Sequence, residues 1–348
     1  MKILIIAPTP LTGGVKIYVE NIISKLKLYE DLTFTIINYP LPKQYFWSLA
    51  YEQEKLGRKI ANNYKDVDVV HSLVTYVAFL GLTISYELGV PHIASIHTIV
   101  SDEYYIKYSL RGIGTRAKSK IIKNLIKKFE SRVTENSIII TFSNMNKQKI
   151  CNSFNVSENN VKVIYHGSDH VPEMTISSNR KDISSGVLSE IKGVDILIEI
   201  ARKLPNLKFI VTGENRLSSK LKIKLPPNIA YTGYIHDLIE LYRLIASTKL
   251  YVLPSRYEAF SIATLEAMRL GVVPLVSEYV GLKEILLENN LKLVLSLSNI
   301  KLWADSINDL YQTDLAYQSS KVMNIARKFS WSESARQHME VYMKTKQH

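Results

Sequence analysis

The sequence predicts an α/β protein built of two doubly wound, Rossmann-like parallel-sheet domains facing a central cleft. Three observations carry that expectation: a length of 348 residues, about twice an ordinary domain; an alternation of strand and helix patterns that runs, stops and runs again; and a polar break between the two runs. The first run opens with the buried strand Ile3 to Ile6, the glycine turn TPLTGG, and VKIYVENIISKL, where Val15, Tyr18, Val19, Ile22 and Leu26 recur at helical spacing. It continues through TFTIIN, DVDVVH, the helical VAFLGLTISYELG, PHIASIHT, a basic helix reaching Val133, SIIITF and VKVIY. Residues 167–185, GSDHVPEMTISSNRKDISS, contain proline and show no periodicity, as a domain linker does. The second run is DISSGVL, the helix GVDILIEIARKL, NLKFIVTG, NIAYTG, the helix IHDLIELYRLIAS, KLYVLPS, the helical ATLEAMRLG, VVPLVS and LKEILLEN, followed by a helical tail from Lys301. The expected domains are 1–170 and 171–330. Open parallel sheets take ligands beyond the carboxyl ends of their strands, so the expected site is the cleft between them.

Composition bounds the class. Charged residues are 22% and hydrophobic ones 46%, ordinary for a globular protein. Cys151, the one cysteine, cannot form an internal disulfide, and no Cys/His cluster suggests zinc. The start MKILIIAPTP is cut short by Pro8, before a signal-peptide core is complete, and VTYVAFLGLTI is too short to span a membrane. A cytoplasmic protein is expected, with room for a peripheral place on the inner membrane face. The net charge of +12 admits anionic partners, and nine basic residues lie between Lys107 and Arg132 against the single acid Glu130. The helix 116–133 in this stretch has an apolar stripe at Ile122, Leu125, Ile126, Phe129 and Val133. It either simply covers the sheet or also meets an anionic membrane surface.

The most informative stretch is SRYEAFSIATLEAMRLGVVP, from Ser255 to Pro274, which sets two glutamates eight positions apart among small and apolar residues. KLYVLPS supplies a strand, RYEAF a loop, and Ser261 an N-cap for the helix IATLEAMRL. Amides at such a helix start suit a phosphate. Glu258 before that start and Glu266 inside the helix cannot bind the phosphate themselves. Two carboxylates flanking a diphosphate suit sugar and ribose hydroxyls.

With these residues the chain resembles the retaining GT-B glycosyltransferases of family 4, glycosyl transferases group 1, which include glycogen synthase-like and mannosyl- or N-acetylglucosaminyl-transferring enzymes. The resemblance covers almost the whole chain. It implies a hexosyltransferase-type enzyme moving a sugar from a UDP- or GDP-sugar to a hydroxyl acceptor, lipid-linked or polysaccharide, with no metal and no cofactor. In the matching E-x7-E pair, Glu258 contacts the donor sugar and Glu266 the ribose, while the amides of Phe260, Ser261 and Ile262 hold the diphosphate. Gly13 and Gly14 in TGGV match a loop facing acceptor and donor phosphate, His97 in IHT the histidine beside the donor sugar, and Lys192 in SEIKG the lysine that neutralises the diphosphate. Gly213 in VTGE matches a nucleotide-side loop, and Tyr234 and Ile235 in TGYI the base-binding edge. The closing SWSESARQHMEVY resembles the helix, here 331–348, that packs back on the first domain. The implied catalytic residues are His97, Lys192 and Glu258. The sequence departs from the family at Val187, where an arginine is usual, and at Val280 and Gly281, where paired glycines are usual.

Plainer readings stand beside these. Glu258 and Glu266 suit a loop and a helix surface, His97 a hydrogen-bonded strand end, Lys192 a solvated helix start, Gly13 and Gly14 a turn, and Tyr234 and Ile235 packing. Asp66 to Asp68 resemble a metal-binding acid pair but stand at the entry of a buried strand. A dinucleotide-dependent oxidoreductase is the alternative on paired Rossmann halves, yet no G-x-G-x-x-G follows any strand. A nucleic-acid binder lacks a motif. A glycoside hydrolase is disfavoured, because glutamates eight apart on one helix would lie about 12 Å apart along its axis.

Overall fold

The structure, a computed structural model, describes residues 1–40, 46–174, 180–217 and 224–345. It divides into two compact units. One comprises Met1–Tyr105, Ile113–Gly167 and Trp331–His348, the other Ile106–Gly112 and Ser168–Ser330.

The first unit is a parallel sheet in the order β2 (Thr33–Pro40), β1 (Lys2–Thr9), β3 (Val69–Ser72), β4 (His92–Ser95), β5 (Ile138–Thr141), β6 (Val161–Val163). Ile3 to Ala7 are buried on both faces of β1, which is why the strand reads as an unbroken apolar run. Its helices are α1 (Gly13–Leu26), α2 (Phe46–Ala61), α3 (Ala78–Leu88), α4 (Val100–Ser109, the residues from Ile106 on counting with the second unit), α5 (Ile113–Glu135) and α6 (Asn144–Phe154). The sequence expectation misses α2. Among its described side chains, from Glu52 on, the buried ones are Gln53, Gly57 and Ala61, a stripe of helical spacing. Gly57 lets α2 approach α3 closely, since a Cβ there would stand 2.8 Å from Thr83. The basic helix is α5 and is longer at both ends than the expected 116–133. Asp66 pairs with Lys2, and Asp68 accepts from the Lys2 amide at 2.7 Å, so both acids serve the strand edge. Cys151 is half-buried beside the core.

The second unit is a parallel sheet in the order β12 (Val294–Leu295), β11 (Val273–Ser277), β10 (Leu250–Leu253), β7 (Ile183–Ser185), β8 (Phe209–Thr212), β9 (Ile229–Gly233). Around it lie α7 (Val194–Lys203), α8 (Leu238–Ala246), α9 (Ile262–Arg269), α10 (Lys283–Glu288), α11 (Ile300–Gln312) and α12 (Ala316–Ala326). The chain winds outward from β7 to β9, then returns to add β10 on the other side of β7. That reversal is a topological switch point, the place at which open parallel sheets take ligands. In the first sheet the corresponding reversal lies between β1 and β3.

The last helix, α13 (Trp331–Thr345), belongs to the first unit. Residues 346–348 of the expected helix, and 175–179 of the expected linker, lie outside the described residues. From α13, His338 and Tyr342 enter a fully buried polar network. Tyr18 Oη meets Ser95 Oγ at 3.0 Å and His338 Nε2 at 3.1 Å, and His71 joins Ser95 Oγ at 2.9 Å to Tyr342 Oη at 2.7 Å. His338 Nδ1 is 2.7 Å from the Ser334 carbonyl, which only accepts. The neutral ring therefore carries its proton on Nδ1, and Tyr18 donates to Nε2.

Candidate active site

At the switch point of the second sheet, the loop after β7 and the loop after β10 touch. Gly193, the N-cap of α7, has φ +72, and a Cβ there would fall 2.0 Å from the Pro254 carbonyl oxygen. Only glycine permits both the turn and the approach. Arg256 fastens the same two loops: its amide donates to the Ile191 carbonyl at 2.7 Å, and Nη1 donates to the Glu190 carbonyl at 2.7 Å. Its guanidinium also grips Asp195 bidentately, at 2.7 and 2.5 Å. The outcome is an ion pair between Lys192 Nζ and Glu258 Oε2, with the two side chains 30% and 22% exposed. The backbone of Glu258 is fixed by the loop after β11, its amide donating to the Tyr279 carbonyl at 3.0 Å and its carbonyl accepting from Gly281 at 2.8 Å. Val280 between these two is fully buried. Glu190, also buried, pairs with Arg111 Nη2 at 3.0 Å.

Ser261 caps α9, its hydroxyl accepting from the Thr264 amide at 3.3 Å, and its φ of +95 is a left-handed value uncommon for serine. The cap leaves the amides of Ser261 and Ile262 without an acceptor among the described residues, at the positive end of the helix dipole. Phe260 is buried just before them. Glu266 lies one turn further on, only 7% exposed. Its Oε1 accepts from His170 Nε2 at 2.7 Å and from Tyr242 Oη at 3.1 Å. Burial and the neighbouring carboxylate hold the Tyr242 phenol far above its ordinary range, so it remains a donor. Glu266 Oε2 has no hydrogen bond among the described residues.

At the far edge of this sheet, Gly213 (φ +99) donates to the Gly233 carbonyl at 2.8 Å and accepts from Tyr231 Oη at 2.8 Å. Val187 packs on Gly213, where a Cβ would meet its Cγ2 at 2.9 Å. The position usually held by arginine thus provides apolar contact. Tyr234 is exposed, its ring edge-on to His236 at 4.8 Å, and Ile235 beside it is half-buried.

In the first unit, His97 follows β4, half-buried among Tyr18, Phe142 and His166 with ring centroids 4.6, 4.3 and 5.8 Å away. Burial pushes its imidazole down to about 3, so the ring is neutral at neutral pH. Nε2 lies 3.0 Å from the Leu73 carbonyl and must carry the proton, leaving Nδ1 as an acceptor. Gly13 and Gly14 are exposed and begin α1 directly after the β1 loop. Among the described residues no group of three or more His, Cys, Asp or Glu could hold a metal ion, and no helix is long and apolar enough to cross a membrane.

Residues 12–171 match Glycosyltransferase Family 4, and residues 175–328 match Glycosyl transferases group 1. The chain belongs to these glycosyltransferases. An uncharacterized glycosyltransferase of Methanocaldococcus jannaschii is 22% identical over 364 residues, spanning 96% of this chain and 95% of the relative. Anabaena HepE, solved in complex with UDP and glucose, has a TM-score of 0.73 at 16% identity, covering 99% of this chain and 100% of that one. Sucrose-phosphate synthase from Thermosynechococcus elongatus gives a TM-score of 0.76 at 15% identity, covering 99% and 98%. The fold of this glycosyltransferase is accordingly GT-B.

Sequence reasoning missed some of the contacts made in this candidate site. His170 sits in the stretch that reads as a featureless linker, and Arg180 in the same stretch donates to the Gly271 and Leu270 carbonyls at 2.6 and 2.9 Å, closing the carboxyl end of α9. Only the histidine after GSD hinted at a role, since a lone ionisable ring in a polar stretch needs a partner that the sequence does not name. Tyr242 occupies an apolar position of α8, and nothing in the pattern separates it from packing. Lys123 of α5 is not turned to solvent like its neighbours: it pairs with Asp102 at 2.7 Å, as does Lys149 at 3.0 Å. The exposed cations of α5 are Arg116, Lys118, Lys120, Lys128 and Arg132.

Proposed function

We propose that this glycosyltransferase moves a sugar from a UDP- or GDP-sugar to a hydroxyl of a glycan or lipid-linked acceptor, with retention at the anomeric carbon and without a metal. The Lys192–Glu258 pair at the switch point of the second sheet carries the reading. A cation and a carboxylate that neutralise each other in the free protein can each be taken over by a different part of one ligand. The donor diphosphate takes Lys192 and the amides of Phe260, Ser261 and Ile262. Sugar hydroxyls take Glu258. Glu266 Oε2 accepts from the ribose, Gly213, Tyr234 and Ile235 border the base, and His97 Nδ1 accepts a donor-sugar hydroxyl. Gly13 and Gly14 present the amides of α1 to phosphate. Donor recognition is assigned to residues 171–330, and acceptor recognition to 1–170 with helix 331–348. The UDP and glucose bound by the Anabaena neighbour support a nucleotide-sugar donor.

In the reaction the bond between the anomeric carbon and the diphosphate breaks with oxocarbenium character, and negative charge grows on the leaving oxygen. Lys192 and preorganised amides stabilise that charge. The acceptor oxygen bonds to the same face of the anomeric carbon, and its proton passes to the departing phosphate, so no enzymic nucleophile is consumed. Activity is expected to survive excess EDTA; loss restored by manganese or magnesium would overturn the metal-free assignment.

Separating the two glutamates tests the core of the reading. Glu258→Gln should lower turnover strongly and leave free nucleotide diphosphate binding nearly unchanged, because its hydrogen bonds strengthen in the transition state. Glu266→Gln should weaken nucleotide and nucleotide sugar alike, by roughly 1.5 to 3 kcal/mol, seen mainly in KM. Identical profiles, or two fully active variants, would overturn the division of roles. The exposed cations of α5 favour a second element: a cytoplasmic enzyme resting on an anionic membrane face that bears the acceptor.

A further inference from the structure

Glu266 is held on one side only. Three elements meet at its Oε1: His170 from the stretch after β6 donates at 2.7 Å, and Tyr242 from α8 donates at 3.1 Å to the carboxylate borne by α9. His170 and Glu266 side chains are each 9% exposed, and Tyr242 is buried. An ionised carboxylate offers about four acceptor positions, two per oxygen. Here Oε1 uses both of its own, while Oε2 has no hydrogen bond among the described residues. Glu266 Oε2 is not a sealed atom without a partner, so it stays within reach of water or of a ligand hydroxyl. With Oε1 doubly held, the carboxylate cannot rotate to exchange its oxygens without breaking two charge-assisted bonds.

We infer that His170 and Tyr242 are positioning residues that make Glu266 Oε2 a fixed reader of a ribose hydroxyl, and so set the preference of the enzyme for ribonucleotide over deoxyribonucleotide donors. The inference rests on the ribose role given to Glu266 above. A hydroxyl of the ribose completes the carboxylate, and a nucleotide lacking that hydroxyl leaves Oε2 dry and unpaired. Site groups built to bond a hydroxyl reject the analogue without it much more strongly than an apolar pocket does.

Titration calorimetry of the full chain with UDP, GDP and ADP, and with the 2′-deoxy and 3′-deoxy form of whichever binds, tests this. The wild type should bind the ribonucleotide about ten-fold or more tightly than one of the deoxy forms. Tyr242→Phe and His170→Ala should shrink that ratio toward one while leaving the affinity for the deoxy form within about two-fold, and His170→Gln, which retains an N–H donor, should restore part of it. Tyr242→Phe removes a single oxygen, and thermal melts confirm that each variant is folded. Equal weakening of both nucleotides, or an unchanged ratio in both variants, overturns the inference while the proposed function stands. A wild type that binds no nucleoside diphosphate overturns the proposed function and this inference with it; one that binds without discriminating removes the ribose role of Glu266.

Discussion

Deep in the first unit, Tyr18, His71, Ser95, His338 and Tyr342 answer one another's hydrogen bonds, with His92 held separately between Ser137 at 2.7 Å and Ser72 at 2.9 Å. In the second unit the polar groups near the switch point are charged instead: Lys192 with Glu258, Arg111 with Glu190, and Arg256 with Asp195. The first arrangement is a closed set. Every member is satisfied by another, and burial holds His71, His92 and His338 neutral. Of these, the Lys192–Glu258 pair is exchangeable, since a partly exposed ion pair gives up little when a ligand of matching charge replaces one partner, while the other two hold the loops in place. Neutral networks suit a frame and paired charges suit a site.

The comparison breaks first at Lys192. Replacing it with methionine should reduce turnover about 10²- to 10³-fold, as loss of a preorganised charge partner does, with little change in melting temperature because the pair with Glu258 is partly solvated. Near-normal turnover would mean that the pair is part of the frame after all.

Acid should damage the frame before the site. Burial pushes His92 and His97 down to about 3 and His338 to about 4, and holds His71 well below the ordinary imidazole range. The unfolded chain takes up protons at these positions from about pH 6.5 downward, before the folded chain does. Stability is therefore complete above pH 6.5 and falls as pH approaches 4, by about 1.4 kcal/mol per pH unit for each histidine, with half-buried His97 counting least. Glu130, pushed up to about 7 by burial, works the other way between 4.5 and 7, but it is one group against several. Urea melts at pH 7.5, 6.0 and 5.0 should show the loss; a flat profile would mean that the network admits protons cheaply.

A smaller effect sharpens the frame. Ser95→Ala deprives both Tyr18 and His71 of a partner and should cost about 1 to 3 kcal/mol in denaturant melts. A neutral result would show that water or a shift of Tyr18 fills the gap. The smallest stability change is expected on α5. Lys118, Lys120 and Lys128 changed together to glutamine should leave the melting temperature alone while weakening attachment to anionic vesicles, by about 1 kcal/mol per lysine. Lys123→Gln should instead be felt in stability, through Asp102. Vesicle binding that ignores the first set would remove the membrane from the proposal.

The fold was largely legible in the sequence because parallel strands buried on both faces, such as Ile3 to Ala7, advertise themselves as apolar runs between glycine-marked turns. What escaped was packing by unremarkable residues. The α2 helix buries Gln53, Gly57 and Ala61, and β12 is only two residues at a sheet edge. In the candidate site the Ser261 cap was legible through local context, whereas the observed contact between Lys192 and Glu258 follows from strand order, which no local pattern encodes. His170 and Lys123 were not legible for one shared reason. Their partners, Glu266 and Asp102, stand 96 and 21 positions away, and a charged residue in a polar stretch looks solvated until its partner is brought to it.

The placement of α13 has a consequence for how the molecule is made. His338 and Tyr342, from the end of the chain, close the network around Tyr18 and His71, from its beginning. A ribosome adding roughly 5 to 20 residues per second emits the whole second unit before it reaches Trp331. During that interval the first sheet has its strands but not its cover, and the Tyr18 hydroxyl and His71 imidazole that α13 will satisfy stay wet. The second unit, continuous in sequence apart from Ile106–Gly112, has no such wait. The half synthesised first is thus the half completed last, and chains released before Trp331 would carry an unsealed first unit for the cell to degrade.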